Sequence, residues 1–221
     1  MGEGGEQGGP VVVGHRANTP RWLRRHLRCT SMVEVDVYLR GNMLVAGHQL
    51  PASRPLLLRQ RLARILENMH FTPSRPLPLL LSTLPPSARV MLDLKDRVSP
   101  RLVASVLEET EVEPERVILA TRWHSDARSL HEEVGAPVLL SIDSRPANPL
   151  GLVEDAGAQG VSVRYSYLDP LFSRSLRSKG YLVAVWTVNT VDDFIYVKRL
   201  VDLVVSDNPC VLNTMSRRSR S

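Results

Sequence analysis

The sequence predicts a single-domain α/β protein of the (β/α)8 TIM-barrel class, and three observations carry that prediction. Eight short apolar runs recur along the chain with helix-like stretches between them, the alternation that a parallel barrel requires. A length of 221 residues with 43% hydrophobic residues suits one domain with a sizeable core. An open doubly wound sheet would place a glycine-rich phosphate loop after its first strand, and none follows residues 11–13.

Taken in order, residues 11–13 form a first strand leading into Gly14-His15-Arg16, and the arginine-rich stretch 21–28 reads as its helix. The second strand, 33–39, is followed by Arg40-Gly41-Asn42 and a short apolar arm at 43–46, a β-hairpin signal. A further helical stretch, 56–69, would form a compact insertion after this strand. Residues 78–84 form a helix, and a Pro-Pro break then separates it from the third strand at 90–94. Strands at 116–121, 137–142, 160–163, 181–187 and 201–206 complete the eight. Helices at 100–109, 126–134, 149–156, 170–179 and 191–200 separate them. Ser99-Pro100 and Asp169-Pro170 carry an N-cap residue followed by proline at the first helical position. With aromatics at 5%, the core must be built mainly from Val, Leu, Ile and Ala. The barrel is assigned to residues 11–212, with flexible tails at 1–10 and, basic in character, at 213–221.

Composition excludes several classes. No apolar span reaches the ~18 residues of a transmembrane helix. Residues 1–10 are Gly-rich and acidic rather than shaped like a secretory signal, so a cytoplasmic location is expected. Cys29 and Cys210 stand alone in sequence and read as buried thiols, a disulfide being disfavoured in a reducing compartment. The net charge of +5 is spread over a helix face at Arg21, Arg24, Arg25 and Arg28 and over the C-terminal arginines. It argues for an anionic small substrate, compatible with transient contact to an anionic membrane surface, and not for nucleic acid. The oligomeric state is left open.

The chemistry is concentrated where strands end. Residues i and i+2 of a strand share a face, so Glu34 and Asp36 present two carboxylates side by side. His15, Arg16 and His48 flank them, and Asp93 and Lys95 stand on the third strand. In a barrel these positions meet at the C-terminal rim. Three carboxylates there would repel unless a dication were bound, and oxygen ligands point to Mg²⁺ or Ca²⁺. Histidine, the side chain that exchanges protons near neutral pH, suits proton transfer at both positions, and Arg16 and Lys95 supply charge for a phosphodiester. The competing reading pairs the three carboxylates with Arg16, Lys95, Arg122 and Arg164 in structural ion pairs. Arg122, Asp143 and Arg164 are further rim candidates. Trp186 reads equally as core or substrate wall, Asn189 and Asp207 as turn and cap residues, and His26, His70, His124 and His131 as structural.

The strings Gly14-His15-Arg16-Ala17-Asn18-Thr19, Val33-Glu34-Val35-Asp36-Val37, Gly47-His48, Leu92-Asp93-Leu94-Lys95 and Val185-Trp186-Thr187-Val188-Asn189 occur in that order, followed by Val201-Asp202 and Val205-Ser206-Asp207-Asn208-Pro209. In order and spacing the chain resembles the glycerophosphodiester phosphodiesterase family, metal-dependent barrel enzymes of the phosphatidylinositol-phospholipase-C-like superfamily. The resemblance implies hydrolysis of glycerophosphodiesters to glycerol phosphate and an alcohol. It implies that His15 and His48 are the acid/base pair, that Glu34, Asp36 and Asp93 bind the metal, that Arg16 and Lys95 contact phosphate, and that Trp186 packs against the alcohol. Ala17, Gln49 and Asp93 stand where the family usually carries Glu, Asp and Glu. Asp93 is similar to the sphingomyelinase D branch, so a lysophospholipase D or sphingomyelinase D-like activity on a lysophospholipid is the enzymatic alternative. A non-catalytic phosphodiester-binding barrel is the other.

Overall fold

The computed structural model describes residues 9–48 and 74–218. In chain order the strands are β1 (Val11–Gly14), β2 (Met32–Arg40), β3 (Met43–Ala46), β4 (Arg75–Pro76), β5 (Arg89–Leu94), β6 (Val117–Thr121), β7 (Val138–Ile142), β8 (Gly160–Arg164), β9 (Leu182–Trp186) and β10 (Leu203–Ser206). All but β3 and β4 run parallel and close into an eight-stranded barrel, because β1 pairs with both β10 and β2. β3 folds back antiparallel on β2 through the expected hairpin, with Gly41 in the left-handed conformation at φ 59°.

Helices start where the sequence supplies caps. The side chains of Thr19, Asn148, Asp169 and Thr190 accept from the backbone N–H groups of Trp22, Gly151, Phe172 and Asp193, and Pro20, Pro149 and Pro170 follow the first three. Ser99 occupies the cap position of Pro100–Glu109 but makes no such bond, so the proline's fixed φ starts that helix.

The two faces of each strand serve different layers. Val33, Val35 and Val37 of β2 and Val90, Leu92 and Leu94 of β5 are buried outward against the helices, each burial stabilising by roughly 1.5–3 kcal/mol. Facing inward, Val13, Met32, Met91, Ile118, Leu139 and Leu203 pack into a separate apolar floor. The period of two then fixes the rest: Glu34 and Asp36 share the face of Met32, and Asp93 shares that of Met91. The carboxylates therefore rise into the barrel above an apolar plug, in register, with Asp36 opposite Asp93.

Three expectations meet the structure differently. Cys29 and Cys210 are not thiols but a disulfide joining residues 181 apart in sequence, with Cα atoms 4.8 Å apart. Closure of the barrel brings β1 beside β10, and with them the loop after Pro20–His26 and the start of the last helix. That last helix, Pro209–Arg218, continues past residue 212, where the barrel was expected to give way to a tail. Leu212 is buried, and Asn213 donates to the Cys29 carbonyl. The helix expected at 56–69, His70 and residues 1–8 of the N-terminal tail lie outside the described residues. Among the described residues no helix is long and apolar enough to cross a membrane.

Candidate active site

At the C-terminal ends of the strands a cavity of about 380 Å³ opens, lined by His15, Arg16, Glu34, Tyr38, His48, Asp93, Lys95, Arg122 and Trp186 among others. Asp36 lies fully buried at its wall. The structure thus assembles the acid/base candidates, the carboxylates and the cations named from sequence. Among the rim candidates, Arg164, exposed at the end of β8, and Asp143 do not line the cavity.

β1 ends in Gly14, where an added Cβ would fall 2.5 Å from that of His26. His26 is buried there with its Nε2 3.0 Å from the His15 carbonyl, so its role is to hold the backbone of His15. Arg16 then adopts the left-handed conformation at φ 54°, which costs a residue with a side chain roughly 1–2 kcal/mol. The strain is offset by the Arg16 N–H, which donates to Glu34 Oε2 at 2.7 Å. The turn aims the Arg16 guanidinium back across the site, with Nε 3.8 Å from Asp36 Oδ2.

His15 is held through one ring nitrogen, and the other faces Glu34. Nδ1 lies 2.7 Å from Asp207 Oδ1 and Nε2 3.9 Å from Glu34 Oε2. Asp207 is itself fixed by Asn189, whose Nδ2 donates to Oδ2 at 2.7 Å and whose Oδ1 accepts the Asp207 N–H at 2.9 Å. The turn-and-cap reading of these two residues is thus replaced by a buttress behind His15. Across the cavity, His48 Nδ1 lies 3.2 Å from Asp36 Oδ2.

Asp36 collects the densest set of partners. Asn18, fully buried, donates to Oδ2 at 2.9 Å and accepts the Asp36 N–H at 2.8 Å. Lys95 Nζ lies 2.7 Å from Oδ1 and also bonds Asp93. Burial would raise the Asp36 pKa, but His48, Lys95 and Asn18 together hold it well below the usual carboxylate range. Lys95 is shifted the other way: burial would lower its pKa, and Asp93, Asp36 and Glu34 raise it. The competing ion-pair reading is therefore realised for Lys95, although the same ammonium lines the cavity.

Glu34 is the outlier. Burial, reinforced by the Asp36 charge, pushes its carboxyl up to about 7. Its Oε1 is buried and, among the described residues, has no hydrogen-bond partner, a costly arrangement for a carboxylate oxygen. One oxygen from each of Glu34, Asp36 and Asp93 lies within 4.8 Å of the others. An orphaned oxygen beside two further carboxylates suits a hard divalent cation.

Asn18, Asp207 and Tyr38 were not picked out from sequence as functional. Asn18 sits inside the string Gly14-His15-Arg16-Ala17-Asn18-Thr19, but only tertiary packing shows that both ends of its amide grip Asp36. Tyr38 was legible in principle, because it follows Glu34 and Asp36 at the same period of two.

The model of the glycerophosphoryl diester phosphodiesterase family matches residues 62–211. That range includes Asp93, Lys95, Arg122 and Trp186, while His15, Arg16, Glu34, Asp36 and His48 precede it. Among solved structures, a glycerophosphodiester phosphodiesterase from Parabacteroides distasonis is 17% identical with a TM-score of 0.78, covering 98% of this chain and 100% of its own. One from Thermotoga maritima is 18% identical with a TM-score of 0.69, covering 93% and 98%. An Oleispira antarctica phosphodiesterase in complex with the product sn-glycerol-3-phosphate is 18% identical with a TM-score of 0.76, covering 95% and 97%. At these identities the likeness establishes the barrel. No curated protein matches the sequence.

Proposed function

Because the chain belongs to the glycerophosphoryl diester phosphodiesterase family, we propose that it hydrolyses glycerophosphodiesters to glycerol phosphate and an alcohol, with His15 and His48 as the acid/base pair. The observation that carries this reading is the clamped His15 beside the carboxylate cluster, in a cavity of about 380 Å³ that His48 also lines.

Each histidine has its Nδ1 against a carboxylate, Asp207 for His15 and Asp36 for His48. With a proton on each Nδ1 facing the carboxylate, the histidine that acts as base is neutral and leaves Nε2 able to take a proton, and the one that acts as acid starts doubly protonated with a proton on Nε2 to give. One histidine removes the proton of the attacking hydroxyl, from water or from the neighbouring glycerol hydroxyl. The other delivers a proton to the departing alkoxide. Arg16 and Lys95 offset the charge that builds on the phosphoryl oxygens. Trp186, its Nε1 anchored 3.0 Å from the Ser162 carbonyl, presents its ring as a wall for the alcohol. Glu34, Asp36 and Asp93 would hold Mg²⁺ or Ca²⁺. When bound, the cation would polarise a phosphoryl oxygen as a Lewis acid. The Cys29–Cys210 disulfide counts against the cytoplasmic location expected from the sequence, because such bridges persist in oxidising compartments.

The test is release of glycerol phosphate from glycerophosphocholine in EDTA, Mg²⁺ and Ca²⁺, comparing wild type with His15→Ala and Glu34→Ala. Metal-dependent release that both substitutions reduce by roughly 10²-fold or more is expected. Release only from a lysophospholipid would favour the lipid phosphodiesterase alternative. Tight binding without turnover in any metal would make the protein a phosphodiester-binding barrel.

A further inference from the structure

A second hollow of about 220 Å³ adjoins the cavity, lined by Arg122, His124, Ser141, Asp143, Ser144 and Trp186 among others. It shares Arg122, Ser141 and Trp186 with the main cavity, so a diester whose phosphate lies over the carboxylate cluster can extend one ester arm into it. The size is informative. At roughly 30 Å³ for each water-sized group, the hollow accommodates about seven non-hydrogen atoms, the size of a small alcohol.

Its charges are more informative still. Arg122 follows β6 and Asp143 follows β7, neighbouring strands of the barrel. Among the described residues, neither side chain has an ion-pair or hydrogen-bond partner, and they do not pair with each other. Two other arginines of the same rim are neutralised, Arg97 by Asp126 and Arg145 by Asp169, and Arg164 stands outside both hollows. A guanidinium and a carboxylate left open side by side in one small hollow complement a ligand that carries both an ammonium and a carboxylate. A purely cationic alcohol would leave Arg122 unmatched, and a neutral polyol would leave both. The ring of Trp186 on the shared wall adds a surface that attracts an ammonium group.

We propose, resting on the phosphodiesterase reading above, that this hollow is a subsite selecting a zwitterionic amino-acid alcohol, so that the preferred diester is the serine ester of glycerol phosphate. In this assignment Arg122 receives the carboxylate and Asp143 the ammonium. Both residues are exposed, so each contact is screened, and an effect on the order of tenfold is expected from each.

The experiment compares kcat/KM for glycerophosphoserine, glycerophosphoethanolamine and glycerophosphoglycerol in wild type, Arg122→Gln and Asp143→Asn. The serine ester should lead by about tenfold or more over the glycerol ester. Arg122→Gln should collapse the serine-to-ethanolamine ratio, and Asp143→Asn should collapse the ethanolamine-to-glycerol ratio. Equal loss on all three substrates would place Arg122 on the shared phosphate and overturn the proposal, as would a wild type without preference. The same three diesters are also titrated into His15→Ala with Mg²⁺ by calorimetry. If no diester is hydrolysed, the phosphodiesterase reading fails, and the calorimetric ranking still decides the subsite: a serine preference lost in Arg122→Gln/His15→Ala upholds it, and its absence refutes it.

Discussion

Replacing Glu34 by Gln should stabilise the metal-free protein at alkaline pH and destroy its response to metal. Glu34 is buried above the apolar floor, 3.9 Å from His15 Nε2, with one oxygen unpartnered among the described residues. Its pKa rises from 4.5 to about 7, and at about 1.4 kcal/mol per pH unit this corresponds to roughly 3 kcal/mol. The folded state holds this proton more tightly than the unfolded chain. The stability it confers is therefore fully present below about pH 4.5 and is lost as pH rises through about 7. Gln has no proton to lose, yet its carbonyl can still accept from the Arg16 N–H. Relative to wild type, Glu34→Gln should therefore gain roughly 2–3 kcal/mol between pH 5 and pH 8. For a chain of this length that is on the order of 5–10 °C in Tm. The measurement is urea unfolding followed by circular dichroism in EDTA at both pH values, for both proteins. Ionisations of groups remote from Glu34 cancel in the difference. Millimolar Mg²⁺ or Ca²⁺ at pH 8 should then raise wild type and leave the variant unmoved. A wild type–variant gap that is the same at pH 5 and pH 8 would refute the reasoning about burial, and a variant that still responds to the cation would remove Glu34 from the metal site.

Three further outcomes are expected. Asp207→Asn keeps a side chain of the same shape but loses the charge that fixes the His15 ring, so kcat should fall by roughly 10–100-fold with little change in KM, read from steady-state kinetics. Asn18→Ala removes both hydrogen bonds to Asp36 from a fully buried position; a loss of about 2–4 kcal/mol and weaker metal binding should appear in denaturant titration and calorimetry. Cys29→Ser/Cys210→Ser opens a loop of 181 residues. The chain-entropy estimate is about 5 kcal/mol, so a clear drop in Tm that reductant reproduces in wild type alone is expected. An unchanged Tm under reductant would mean that the bridge does not form in solution.

The sequence by itself determined the barrel. Eight apolar runs, alternating with helices whose starts Ser99-Pro100 and Asp169-Pro170 mark, leave few other ways to bury both faces of each strand. It also determined which carboxylates meet, because a period of two places Glu34, Asp36 and Tyr38 on one face whatever surrounds them. Tertiary structure decided the rest, wherever partners come from distant strands. Asp207 is 192 residues from His15, and only the pairing of β10 with β1 brings them together. The same closure joins Cys29 to Cys210, two residues that look solitary in sequence. Arg164 shows the converse: it ends its strand as Arg122 does, yet it stands exposed outside the cavity. The sequence states which residues lie at the rim, whereas which of them face inward is set by closure of the sheet.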